Sequence, residues 1–247
     1  MQKLLCIGVA WLALLPYQVV AQAPFRQDST AVLAAVAAAT QQYTRRVRPE
    51  SVLFNGPEYV DNTQPGTIGH PFFLNSEPQL GSITYRSAHF AEVPLRYDLV
   101  LDQVVMTYPG QALAVALVPG KITSFALGSH QFVRLLADSA AGSALPTGFY
   151  EVLQSGQVGL LAHHTKQIQR TTVQQDLRLE FKQTDRLFIR TARASAEVAK
   201  LKDLLAMLPT HKADVQRYAR QQKLRFSAAQ REASALSALR YYYTLLQ

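Results

Sequence analysis

Alternation of apolar and polar residues dominates the middle of the chain. In LRYDLVL, residues 95–101, Leu95, Tyr97, Leu99 and Leu101 fall on one side and Arg96, Asp98 and Val100 on the other. In DLRLEFK, residues 176–182, Leu177, Leu179 and Phe181 alternate with Asp176, Arg178, Glu180 and Lys182. A period of two is that of a half-buried strand. Shorter runs at 51–54, 71–74, 82–86, 103–108, 112–118, 121–126, 130–136, 149–154, 158–168 and 186–191 read as further strands. They are separated by turn signals such as Asn55-Gly56-Pro57, Pro119-Gly120, Gly128-Ser129 and Ser155-Gly156. With no long helix between them, antiparallel meanders are expected rather than crossover units.

At both ends the period becomes helical. Asp28 or Ser29 can cap an alanine-rich helix over about 29–46, with basic residues in its last turn and Pro49 just beyond. After residue 193, Val198, Leu201, Leu204, Leu205 and Leu208 form one stripe that Pro209 ends. Thr210 can cap a second helix to about 223. Ser227 with Gln230 makes a capping box for a third, whose Leu236, Leu239, Tyr243 and Leu246 share a face. The expectation is an α+β chain: an antiparallel β-rich body, sandwich or partly open barrel, preceded by one helix and followed by a C-terminal cap of about three helices. The expected divisions are 1–21, 22–50, 51–192 and 193–247.

Composition adds an address. A content of 48% hydrophobic residues in 247 supports a globular core. Met1-Gln2-Lys3, the apolar run Leu4–Leu15, Pro16 and Val19-Val20-Ala21 follow the order of a signal peptide. An apolar core of about 12 residues is too short to span a bilayer as a helix. Cleavage near Ala21 is expected to leave a periplasmic or extracellular protein with no transmembrane segment. Cys6, the only cysteine, would leave with the signal, which excludes disulfides, cysteine zinc sites and a cysteine nucleophile.

The net charge of +8 is unevenly placed. Residues 193–247 carry ten Lys and Arg against four Asp and Glu, whereas 22–192 are nearly balanced. On a helix over 211–223, Lys212, Gln216, Arg220 and Lys223 fall within about 80° of one another, while Val215 and Tyr218 face elsewhere. Lys212, Arg220 and Lys223 are therefore the candidate anion-binding face. Outside the cytoplasm its partner is an anionic envelope component, a lipid headgroup, an acidic glycan or an acidic protein, and no nucleic acid is expected.

Catalytic signatures do not occur: no phosphate-binding loop, no Gly-x-Gly-x-x-Gly, no Gly-x-Ser-x-Gly and no His-Glu-x-x-His. The pair His163-His164 would project to opposite faces of a strand and could not share one metal ion, while His70, His89, His130 and His211 stand singly. Asp98 and Asp102, about 13 Å apart if the strand were continuous, could not work as an acid/base couple; a hairpin turn near Asp102-Gln103 gives them a structural reason instead. Of Tyr241-Tyr242-Tyr243, one ring is expected in the core and two at its rim. No catalytic residue, metal ligand or cofactor is assigned. The expected function is a non-enzymatic binding or interaction module, with a hydrolase acting on envelope polymers or a lipid or lipoprotein carrier as alternatives.

The ordered segments LFNGPEYV, GHPFF, VPLRYDLVLDQVVM, FALGSHQFVRLL, TGFYEVLQSG, DRLFI and VQRYARQQKLRF resemble an uncharacterised family of secreted proteins in Bacteroidetes-type bacteria. The resemblance covers most of the chain after residue 50. It implies the envelope address and no activity, cofactor or catalytic residue. A signal followed by antiparallel strands is also similar, at the level of the fold, to periplasmic lipoprotein carriers.

Overall fold

In a computed structural model of the chain, residues 29–46, 52–108, 110–111, 113–137, 145–173 and 176–247 are described. The signal peptide, its cleavage site and Cys6 lie outside them. The chain separates into two units, Met1–Thr40 and Gln41–Gln247. The helix α1 (Ser29–Arg46) falls where its alanine-rich sequence places it. Val32, Leu33 and Val36 are exposed along it.

In the second unit ten strands form one antiparallel sheet: β1 (Gln79–Tyr85), β2 (Ala88–Asp98), β3 (Gln103–Thr107), β4 (Ala114–Ala116), β5 (Ile122–Leu127), β6 (His130–Leu135), β7 (Gly148–Gln154), β8 (Gly159–Val173), β9 (Asp176–Arg190) and β10 (Ser195–Glu197). Their order is β10-β9-β8-β7-β6-β5-β1-β2-β3-β4. Two meanders are thus joined where β5 returns to pair with β1. All ten strands belong to one sheet, so a sandwich of two sheets is not formed. The sheet is unclosed but strongly curled: the Lys166 amide of β8 donates to the Leu99 carbonyl just past β2, 3.0 Å away, although four strands separate β8 from β2.

Three helices follow, α2 (Leu201–Met207), α3 (Lys212–Gln221) and α4 (Arg231–Thr244). They cover the inner face of β8 and β9, where Leu160, Ala162, Leu187 and Ile189 pack against Val198, Leu204, Val215, Ala238 and Leu239. The rest of the inner face is filled by side chains. Tyr97, Phe125, Phe132 and Phe149 meet with ring centres 4.6–5.8 Å apart, beside Ile83 and Leu95. Each such ring removed from water contributes about 2 kcal/mol.

Several local expectations change. Residues 52–54 form a turn of 3-10 helix, not a strand. Segment 71–74 makes one isolated bridge, Phe72 to Asp98, because Leu74 turns the backbone to φ 53°. The run 176–182 and the run 186–191 are one strand, β9, and β10 lies past residue 192. In LRYDLVL the strand ends at Asp98, so Leu95 and Tyr97 are buried but Leu101 is 60% exposed. His211, with φ 56°, precedes α3 in the position expected for Thr210. The buried side of α4 is Ala235, Ala238, Leu239 and Tyr242, while Leu246 is exposed. Of the three tyrosines, Tyr242 is buried and Tyr241 and Tyr243 are half-buried, as expected.

Candidate functional site

The histidines that stand singly in the sequence do not all stand singly in space. Ladder pairing puts Phe132 beside Glu151, Glu151 beside Ala162, and His164 beside Asp185, all on the inner face of β6–β9. There His164 donates from Nε2 to Glu151 Oε2 at 2.8 Å and from Nδ1 to Asp185 Oδ1 at 2.7 Å. The second oxygen of Glu151 accepts from His130 Nδ1 at 2.6 Å, and Gln183 donates to Asp185 at 2.9 Å. His164 and Glu151 are buried; Asp185 is exposed and His130 half-exposed. The four groups form a relay, Asp185–His164–Glu151–His130, that crosses the seam between the aromatic filling and the helical layer.

Electrostatics set the protonation of the relay. Burial alone would push the His164 imidazolium down, but its hydrogen bonds to Asp185 and Glu151, and their charges, raise it to about 9. Burial would likewise raise the carboxyls of Glu151 and Asp185; the bonds from His164, with His130 and Gln183 respectively, hold both below the usual range. Near neutral pH His164 is an imidazolium donating at both nitrogens. A ring so engaged has no lone pair with which to accept a substrate proton.

The segment GHPFF covers this relay. Phe73 packs 5.1 Å from the ring centres of His130, Phe132 and His164. The segment is held by its backbone: Phe73 N–H donates to Tyr97 O at 2.8 Å, Leu99 N–H to Pro71 O at 3.0 Å, and Lys166 Nζ to the carbonyls of His70 and Phe72 at 3.0 and 2.6 Å. Burial is the main cause that lowers the Lys166 ammonium, which Asp98 and Asp185 partly restore.

His163 lies on the opposite face from His164, as the strand period requires, stacked 4.9 Å from the Tyr150 ring. Asp98 precedes a four-residue turn, residues 99–102, that Asp102 ends, and both are structural. Buried Asp98 accepts from the Val100 and Leu101 amides at 2.7 and 3.0 Å and from Tyr59 OH at 2.8 Å. Asp102, at φ 51°, accepts from Tyr97 OH at 2.6 Å and from the Phe149 amide at 3.4 Å. It is Asp98, not Asp102, that bonds its own turn.

Two of the three residues of the candidate anion-binding face, Lys212 and Arg220, lie on α3, which ends at Gln221, before Lys223. Lys212, Gln216 and Arg220 are exposed, Val215 and Ala219 are buried behind them, and Lys223 follows two residues past the helix at φ 51°. Lys212 Nζ donates to the Ala206 carbonyl at 3.3 Å. Neither Lys212, Arg220 nor Lys223 has a carboxylate partner among the described residues; the one acid in the helix, Asp214, lies 3.5 Å from Arg217 and from His211. Sequence reasoning missed the relay, and no group of three or more ligating side chains able to hold a metal ion occurs among the described residues. No helix is long and apolar enough to cross a membrane among those residues. No protein-family model, curated protein or solved structure matches the chain.

Proposed function

We propose that the chain is a secreted or periplasmic, envelope-associated binding module without a catalytic role, which meets an anionic envelope surface through α3. One observation carries the reading: α3 spends its apolar side on the core and leaves Lys212 and Arg220, with Lys223 beyond, exposed and free of carboxylates among the described residues. The relay supports a binding reading over a hydrolytic one, because both nitrogens of His164 and both oxygens of Glu151 are already engaged within it, with each other and with Asp185 and His130. The resemblance to secreted proteins supports the envelope address.

A cation near an anionic surface contributes about 1 kcal/mol, and the attraction fades within a Debye length of ~8 Å at physiological salt. Removing two should weaken binding roughly thirtyfold. The test is cosedimentation of the chain with vesicles containing anionic lipid, at low and high salt, against Lys212→Glu with Arg220→Glu. Binding at low salt that is lost at high salt and in the double variant, with an unchanged melting temperature, is expected. No binding at low salt, or equal binding by the double variant, would make α3 an ordinary solvated helix.

A further inference from the structure

A cavity of about 450 Å³ lies away from α3, between the end of β6 and the turn that joins β9 to β10. Arg134, Arg190 and Arg193 line it together with Leu135, Leu136 and Leu145, and no acidic residue is among its described lining residues. The contrast with the same strand is informative. Arg186, four residues before Arg190, is clamped by both oxygens of Glu197 at 3.0 and 2.5 Å. Arg190 and Arg193 are exposed and have no carboxylate partner among the described residues.

The turn that carries these two arginines is well defined. Thr191 Oγ1 accepts from the amides of Arg193 and Ala194 at 3.3 and 3.2 Å, and the Thr191 amide donates to Ala194 O at 2.9 Å. Arg134 is oriented in another way: its guanidinium sits 5.3 Å over the Phe149 ring, and its Nε is buried without a hydrogen-bond partner. Beside these charges Leu136 is 69% exposed, an apolar side chain left to water. Unpaired guanidiniums match the oxygen geometry of phosphates and carboxylates, and exposed aliphatic surface gains from covering by methylene groups. The volume falls within the range of small-molecule sites.

We infer that this cavity binds a small amphiphilic anion, a phosphate or carboxylate head on an aliphatic body. Arg190 and Arg193 hold the head, and Leu135, Leu136 and Leu145 cover the body. The site is separate from the α3 face and does not depend on it. An alkyl phosphate and a fatty carboxylate share this chemistry, and the experiment treats them as two arms.

Isothermal titration of the full chain uses octyl phosphate and octanoate, each below its micellar concentration, with inorganic phosphate and octyl glucoside as the head-only and body-only probes. At least one amphiphilic anion should bind saturably, and the tighter of the two names the head. Inorganic phosphate should bind at least tenfold more weakly, and octyl glucoside should not saturate. Arg190→Gln with Arg193→Gln should weaken the amphiphile at least tenfold, and Leu136→Ser severalfold, both at unchanged melting temperature. The variant Lys212→Glu with Arg220→Glu should bind it as wild type does, so that failure of the α3 reading and failure of this one are told apart. No saturable binding of either amphiphile, equal binding of inorganic phosphate, or full binding by the double arginine variant would overturn the assignment.

Discussion

Replacing His164 with glutamine should flatten a loss of stability that the native protein suffers on the alkaline side of neutrality. The buried imidazolium holds its proton up to about 9, against 6.5 in the unfolded chain, because Asp185 and Glu151 receive both of its N–H groups. A group whose folded affinity is raised contributes in full below the unfolded value and loses that contribution as pH climbs through the folded one. The window here is therefore 6.5 to about 9. Each tenfold in proton affinity is worth 1.36 kcal/mol, so the change across the window is about 3 kcal/mol. The lowered carboxyls of Glu151 and Asp185 have the opposite sign, contributing above the carboxylate range and losing it in acid. They are the other ends of the same contacts, so their share is not added. His70 and His163 are lowered, burial first among the causes, and so act below 6.5. Glu232, at the head of α4, is raised, by burial first and then by the charge of Glu151.

Urea unfolding of wild type and His164→Gln at about pH 6 and about pH 9 isolates the effect, since titrations common to both proteins, that of Lys166 included, cancel in the difference. Wild type should lose about 3 kcal/mol more than the variant between the two, or roughly 6–12 °C in melting temperature for a domain of this size. Should His164→Gln fail to fold, Asp185→Asn removes one of the two carboxylates from the exposed end of the relay. It should draw the alkaline end of the transition down toward 6.5. Stability curves that run parallel within about 0.5 kcal/mol would refute the assignment of a protonated His164.

Two further outcomes follow from the turns. Asp98→Ala leaves the Tyr59 hydroxyl and two turn amides without their acceptor and should cost about 3 kcal/mol or more in urea unfolding, whereas Asp98→Asn and Asp102→Asn keep an acceptor oxygen and should cost no more than about 2 kcal/mol; a loss below about 1 kcal/mol for Asp98→Ala would contradict the buried bonds. Gly156→Ala puts a Cβ where the Tyr243 hydroxyl bonds the Val158 backbone, at φ 138°, and should lower stability by about 2–4 kcal/mol, with partial recovery in the double variant with Tyr243→Phe; a neutral Gly156→Ala would mean that α4 is not pinned to this turn.

β5, β6, β7 and β8 stand where the apolar runs lie; in β7 and β8 both faces are apolar, since Phe149, Leu160 and Ala162 fill the inner face and Tyr150 and Leu161 pack with Phe188 on the other. The first half of β2 was hidden by its backbone. At Glu92, with φ 55°, the parity slips, so that Phe90 and Val93 both turn inward and AHFAEV loses its period. The turn before it was equally silent. Arg86 and Ser87 take φ 48° and 66°, the left-handed pair of a tight two-residue hairpin, without the Asn or Gly that usually announces one. At the tip of β9 the pattern was regular and still misleading: Leu177 is 64% exposed because no neighbouring element reaches that end of the β8–β9 ribbon among the described residues.

The relay was legible in one respect only, that of parity. Glu151 shares a side with Phe149, and Asp185 with Leu187 and Ile189, so each acid sits on the apolar face of its strand. A charge there costs several kcal/mol unless it finds a partner, which is itself a signal that one exists. What sequence spacing cannot supply is the register between strands. His164 meets Asp185 only because the β8–β9 hairpin pairs residues whose numbers sum alike along its whole length, Gly159 with Arg190 down to Val173 with Asp176. It meets Glu151 only because β7 and β8 slip by a residue between Val152 and Gln154, placing Glu151 opposite Ala162 and diagonal to His164. Without that irregularity the neighbouring pairs would shift and Glu151 would part from His164, which would keep Asp185 as its one carboxylate. The bulge in β7 is therefore part of what makes a charged centre tolerable between two apolar clusters, and it predicts that shortening the 154–158 turn disrupts the relay before it disrupts the sheet.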